Sequence, residues 1–178
     1  MEQNNAMQRR ALITGLEGTA LTAGEARFLR DVRPLGIILF ARNCETHDQI
    51  RRLVADALAA IGSDETLVLI DQEGGRVQRL RPPLGRALPP AAAYAIRYES
   101  GDADGACIAA EAAARLVAHD LRDLGINTNC TPVLDLPVPG AHAIIGDRAF
   151  GTSVEQIVRL GRAVANGFIA GGVLPVIK

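Results

Sequence analysis

Short apolar runs alternate with longer amphipathic stretches along this chain. Residues 11–14, 36–40, 66–70 and 173–177 are apolar at consecutive positions, several of them β-branched, and read as buried strands. Residues 126–129 and 132–134 are shorter candidates of the same kind. Between these runs the pattern changes to a helical one. Thr22 with Glu25 forms a capping box that opens a helix running to about Val32, before Pro34 and Gly36 break it. Thr46 is the N-cap of a helix reaching Ile61, with Ile50, Leu53, Val54, Ala57 and Leu58 on one face and Gly62 as its stop. An alanine-rich helix spans 103–124 and closes on Gly125. Ser153 with Gln156 repeats the capping box and opens a helix to Ala170, ended by Gly171-Gly172. Residues 72–101, with Pro82-Pro83 and Pro89-Pro90, and residues 137–151 read as irregular.

Strands apolar on both faces and separated by helices predict a parallel sheet covered by helices. An open doubly wound sheet and a (β/α) barrel both satisfy that pattern. In either, chemistry gathers at the carboxyl ends of the strands. Asp71, Asn129, Asp135 and Lys178 follow strand ends and are expected on one face.

Composition narrows the partners. The chain has 178 residues, one domain or part of a larger one, and its 48% hydrophobic content supports a substantial core. Basic and acidic residues number 19 and 20, for a net charge of −1. With no basic excess to neutralise phosphates, neither nucleic acid nor an anionic membrane is an expected partner. Cys44, Cys107 and Cys130 are an odd set without metal-ligand spacing and read as reduced thiols. Residues 1–10 lack the apolar core of a signal peptide, and no apolar run reaches the roughly 18 residues that span a bilayer. A cytoplasmic location is expected.

The densest chemistry lies in Asp71-Gln72-Glu73-Gly74-Gly75-Arg76-Val77-Gln78-Arg79, directly after the third strand. A carboxylate ends a strand, two glycines let backbone approach a ligand closely, and forked donors follow. Such crowding of directional acceptors and donors suits a polyhydroxylated small molecule. Glu73 reads as an arginine's ion-pair partner. Arg76 is balanced between internal salt bridge and ligand contact, and Arg79, eight residues past Asp71, can fold back toward the strand end. In Gly146-Asp147-Arg148-Ala149-Phe150-Gly151, Arg148 is a donor candidate with Asp147 as its orienting partner or a loop cap. Asp135 reads as a turn residue. His47 and His119 fall in helices, and His142 lies in a loop without a nucleophile partner. No glycine pattern matches a dinucleotide fingerprint or P-loop, and the acids and histidines lack metal-ligand spacing. No cofactor or metal is expected.

The run Leu69-Ile70-Asp71-Gln72-Glu73-Gly74-Gly75-Arg76-Val77-Gln78-Arg79-Leu80 resembles the signature of glycoside hydrolase family 3, in its bacterial β-N-acetylglucosaminidase branch. Gly36-Ile37-Ile38-Leu39-Phe40-Ala41-Arg42-Asn43, Asn129-Cys130-Thr131-Pro132-Val133-Leu134-Asp135, Ile145-Gly146-Asp147-Arg148-Ala149-Phe150-Gly151 and Leu174-Pro175-Val176-Ile177-Lys178 are similar to further family segments, in order. The resemblance implies a (β/α)₈ TIM-type barrel, of which this chain supplies roughly the first five βα units. It implies removal of terminal N-acetylglucosamine with retention, from peptidoglycan fragments such as muropeptides in the cytoplasm. By motif position, Asp71, Arg79, Arg148 and Lys178 would hold the sugar hydroxyls. The family's His–Asp acid/base loop and aspartate nucleophile come after the strand that ends in Lys, and neither occurs up to Lys178. The chain is therefore expected to be the N-terminal, sugar-binding portion of one barrel and inactive by itself. A β-glucosidase of the same family, or a non-catalytic sugar-binding module, are the alternatives.

Overall fold

The computed structural model describes residues 9–138, 140 and 143–178. Among these, the strands and α-helices run in the order β1 (Arg10–Gly15), α1 (Ala23–Val32), β2 (Pro34–Leu39), α2 (His47–Ile61), β3 (Leu67–Ile70), β4 (Gln72–Gly74), β5 (Val77–Gln78), α3 (Ala91–Glu99), α4 (Ala103–Asp123), β6 (Thr128–Asn129), α5 (Val154–Ala170) and β7 (Leu174–Pro175). Local signals place most of the boundaries. Thr22 and Glu25 cap α1 reciprocally, and Thr46 and Gln49 do the same for α2. Ser153 caps α5, but Gln156 does not complete a box: its side chain bonds Thr152 N and the Ala95 carbonyl instead, tying α5 to α3. The expected capping box is thus half realised, because a buried amide finds a tertiary partner.

Strands β1, β2, β3, β6 and β7 pair in that order, every pair parallel. A doubly wound sheet reverses its strand order at a switch point. Here the order never reverses, and helices separate successive strands of the sheet, so the barrel-type alternative is the one adopted. Ile37, Leu39, Val68 and Ile70 are fully buried between the sheet's neighbours and α2 and α4, whose inward faces carry Ile50, Leu53, Ala57, Ala110, Ala118 and Leu121. Each buried Ile, Leu or Val among them contributes about 1.5–3 kcal/mol, and each alanine less. No described helix is long and apolar enough to cross a membrane.

Three expectations change. The segment 72–101 is not all loop: it holds the antiparallel β4–β5 hairpin and helix α3. Helix α3 escaped notice because its buried positions are Ala91 and Ala95, too small to give a strong apolar period. Residues 132–134 form no regular strand, and the last strand is confined to Leu174–Pro175. Pro132 and Pro175 have no N–H to give a ladder. The two stretches still run side by side: Val176 N donates to the Asn129 carbonyl, Lys178 N to the Pro132 carbonyl, and Leu134 N to the Lys178 carbonyl.

Candidate functional site

Leu39 is in register with Ile70, Ile70 with Asn129, and Asn129 with Pro175. The residues that follow, Phe40, Asp71, Cys130 and the 176–178 stretch, therefore meet at the carboxyl edge of the sheet. The backbone there is held by amide side chains. Asn129 is fully buried; its Oδ1 accepts from Gln72 N and its Nδ2 donates to the Gln72 carbonyl, both at 2.9 Å. Gln72 in turn accepts from Arg79 N and Leu80 N at 3.0 Å and donates to the Leu80 carbonyl at 2.8 Å. That buried amide closes the hairpin and brings Arg79 back beside Asp71. Gly74 and Gly75 have φ of +110° and +55°, and a Cβ on Gly74 would stand 2.3 Å from the Pro89 carbonyl oxygen. Only glycine fits that turn and that approach.

The four residues expected to hold a sugar come together. Asp71 Oδ2 accepts from Arg79 Nη2 at 3.0 Å, and its Oδ1 accepts from Lys178 Nζ at 2.7 Å. Lys178 Nζ also lies 2.7 Å from Glu73 Oε1. Glu73 receives both prongs of Arg148: Nε to Oε2 and Nη2 to Oε1, each at 2.8 Å. Arg148 thus reaches Asp71 only through Glu73 and Lys178. Asp147 is not its partner, contrary to the pairing considered from the sequence: Asp147 Oδ1 accepts from Arg76 Nε at 3.0 Å, and Arg76 Nη2 donates to the Ile144 and Ile145 carbonyls. Adjacent residues such as Asp147 and Arg148 point different ways in the turn Gly146–Arg148, and each meets the hairpin residue it faces.

Charge and burial set the protonation states. Burial pushes the Asp71 carboxyl up, but the bonds from Lys178 and Arg79 together outweigh it and hold its pKa below the ordinary carboxylate value. Burial likewise raises and Arg148 and Lys178 more than offset the shift for Glu73, which ends lowered. Burial works against the Lys178 ammonium, yet its two carboxylate partners raise its pKa. Three cations face two carboxylates, so the cluster carries one net positive charge. Among the described residues, Lys178 has spent two of its three N–H donors and Arg148 two of its five.

The rest of the rim is less chemical. The Arg79 guanidinium stands 5.9 Å from the Phe40 ring centroid, and that of Arg42 4.7 Å from it. Phe40 is the rim residue that the sequence reading did not select. Glu73 was read as an arginine's ion-pair partner, and Arg148 is that arginine. Cys130 lies in the same neighbourhood, and burial first, then Asp71, raises its thiol pKa; Cys44 is pushed up to about 11, chiefly by burial. Neither is a poised thiolate. His47 bonds the Leu84 carbonyl at 2.8 Å at the start of α2, His119 is exposed on α4, and His142 lies outside the described residues. Asp135 is exposed beyond the strand end.

The chain and its fold have counterparts in known proteins. The profile of the Glycosyl hydrolase family 3 N terminal domain matches residues 13–178. A beta-hexosaminidase of Thioalkalivibrio sulfidiphilus is 40% identical over 163 residues, covering 92% of this chain and 46% of the relative. One from Methylococcus capsulatus is 40% identical over 164 residues, with the same two shares. The crystal structure of NagZ from Neisseria gonorrhoeae superposes with a TM-score of 0.88 at 34% identity, covering 96% of this chain and 49% of that one. The same protein has been solved in complex with N-trifluoroacetyl-D-glucosamine. The chain spans about half the length of the relatives it matches. With a family profile over nearly its whole length and five parallel strands in barrel order, the chain belongs to glycosyl hydrolase family 3, as its N-terminal domain.

Proposed function

We propose that this chain supplies the sugar-holding part of a retaining β-N-acetylglucosaminidase that removes terminal non-reducing N-acetylglucosamine from peptidoglycan-derived fragments, in the cytoplasm. The observation that carries this reading is the convergence of Asp71, Arg79, Arg148 and Lys178 at one mouth, with donors left over for a ligand. Sugar hydroxyls bridge acceptors and donors at once. Asp71 has one protein bond on each carboxylate oxygen and a lone pair left on each. Lys178 and Arg148 supply charged donors, worth roughly 1.5–3 kcal/mol per bond.

The ion pairing of the two acids supports placing cleavage on other groups. Retaining hydrolysis needs a free carboxylate to attack the anomeric carbon and a proton donor with a raised pKa. Asp71 and Glu73 are both tied into ion pairs and both have lowered pKa values. The nucleophile and the His–Asp acid/base pair are accordingly proposed to lie in sequence following Lys178. The relatives' names, beta-hexosaminidase, and the N-trifluoroacetyl-D-glucosamine bound by the Neisseria protein support the acetamido sugar over glucose.

Titration of the protein with N-acetylglucosamine, followed by calorimetry, tests the reading. Saturable binding is expected, at least tenfold tighter than for glucose, and Asp71→Asn should weaken it by about tenfold or more. Equal affinity for both sugars would favour the β-glucosidase alternative, and no binding of either would refute the site. Residues 1–178 alone should not hydrolyse a chromogenic N-acetylglucosaminide.

A further inference from the structure

Glu73 stands apart from the other charged groups of the mouth. Its side chain is only 7% exposed. Both oxygens are occupied: Oε2 by Arg148 Nε, Oε1 by Arg148 Nη2 and by Lys178 Nζ. A ligand hydroxyl finds little surface by which to reach it, and Oε1 already takes two bonds. Asp71, at 15%, takes one bond per oxygen and is the more open of the two.

The cations that Glu73 holds come from distant parts of the chain. Arg148 is 75 residues away, in the turn before α5, and Lys178 follows β7. Without Glu73, the Arg148 guanidinium would lose its carboxylate partner and face the Lys178 ammonium unscreened, and Lys178 would be held by Asp71 from one side only. Glu73 itself sits on a rigid platform. It lies in β4, whose neighbour Gly74 packs against the Pro89 carbonyl, while Gly75 N donates to the Leu88 carbonyl at 3.0 Å. The hairpin and the turn are also latched in a crossed fashion. The hairpin gives an acid to Arg148 and an arginine, Arg76, to Asp147. The inner bridge is shielded, and the outer one is about half exposed and screened by water.

We propose that Glu73 is a positioning residue: it does not touch the sugar but fixes Arg148 and Lys178 at the spacing from which both reach it. The proposal rests on the sugar-holding assignment of those two cations. It separates the two acids of the motif by role, Asp71 binding and Glu73 aiming.

The test compares Glu73→Gln with the unmodified protein, as its gene encodes it, by two measurements. The first is affinity for N-acetylglucosamine. Glu73→Gln should raise Kd roughly tenfold or more, and the loss should be clearly smaller when Arg148→Ala is already present, because Lys178 is then the one cation left for it to aim. The second is independent of any sugar: the NMR titration midpoint of the Lys178 amine should fall in Glu73→Gln. Unchanged Kd, or a loss of the same size in the Arg148→Ala background, overturns the proposal. If the unmodified protein binds no sugar, the site assignment fails, and a Lys178 midpoint unmoved by Glu73→Gln then overturns the positioning role separately. Should Glu73→Gln not fold, Glu73→Asp, which keeps the charge with a shorter reach, carries both comparisons with smaller shifts in the same directions.

Discussion

Replacing Asn129 by Ala tests whether the site is held from beneath. Asn129 is fully buried, and its amide makes two bonds of 2.9 Å to the N–H and carbonyl of Gln72, the residue after Asp71. Alanine removes both partners and leaves a backbone donor and acceptor in the interior. An unsatisfied buried group costs about 1–3 kcal/mol. Two such groups, partly relieved by a water entering the vacated space, give a loss of roughly 2–4 kcal/mol. For a chain of this size each kcal/mol lowers Tm by about 2–4 °C, so a fall on the order of 10 °C is expected. Urea unfolding followed by circular dichroism should show a lower midpoint at unchanged slope, the mark of a native-state loss. Sugar affinity should fall as well, because the peptide that aims Asp71 is released. Asn129→Asp is the control: it keeps the acceptor but cannot donate to the Gln72 carbonyl, and it buries a charge, so it should be at least as damaging. A loss below about 0.5 kcal/mol for Asn129→Ala, the range of an ordinary surface substitution, would refute the reasoning.

Stability should depend on pH at both ends. The lowered pKa values of Asp71 and Glu73 mean that their contribution is complete above the unfolded values of about 3.9 and 4.3 and is lost as pH falls through the folded ones. The raised pKa of Lys178 means that its contribution is complete below about 10.4 and is lost as pH rises through the folded value. Urea midpoints should therefore plateau between about pH 5 and 10, and Asp71→Asn should flatten the acid limb; an unaltered acid limb would count against the pairing. Arg76→Ala should cost no more than about 1 kcal/mol, because its bridge to Asp147 is 48% and 43% exposed, and thermal unfolding in high salt should shrink the difference further. Gly74→Ala should cost more than about 1 kcal/mol, since it sets a Cβ against the Pro89 carbonyl at φ +110°; a thermal midpoint equal to that of the unmodified protein would refute the close approach.

What the sequence by itself determined was local. The caps Thr22 and Thr46 were legible because an N-cap signal is written in neighbouring residues, the first of them as a box with Glu25. The parallel sheet was legible from runs apolar on both faces, and Asp71 from its place directly after one of them. The proposed sugar-holding residues Asp71, Arg79, Arg148 and Lys178 were picked out by motif resemblance; parallel strands sharing a direction put Asp71 and Lys178 at one edge, while the hairpin and the turn before α5 bring Arg79 and Arg148 to them. Tertiary structure decided the rest. The apolar pattern alone left a barrel and a doubly wound sheet open; the motif resemblance implied the barrel, and the strand order agrees with it. Helix α3 was hidden because alanines bury little area and leave a faint period. The partner of each arginine was hidden too: Arg148 bypasses its neighbour Asp147 for Glu73, 75 residues away, and Arg76 takes Asp147 at a separation of 71. Secondary structure depends on contacts within a turn or a strand, so the chain spells it out. An ion pair depends on which side chains the packed backbone brings within 3 Å, and no short stretch of sequence contains that distance.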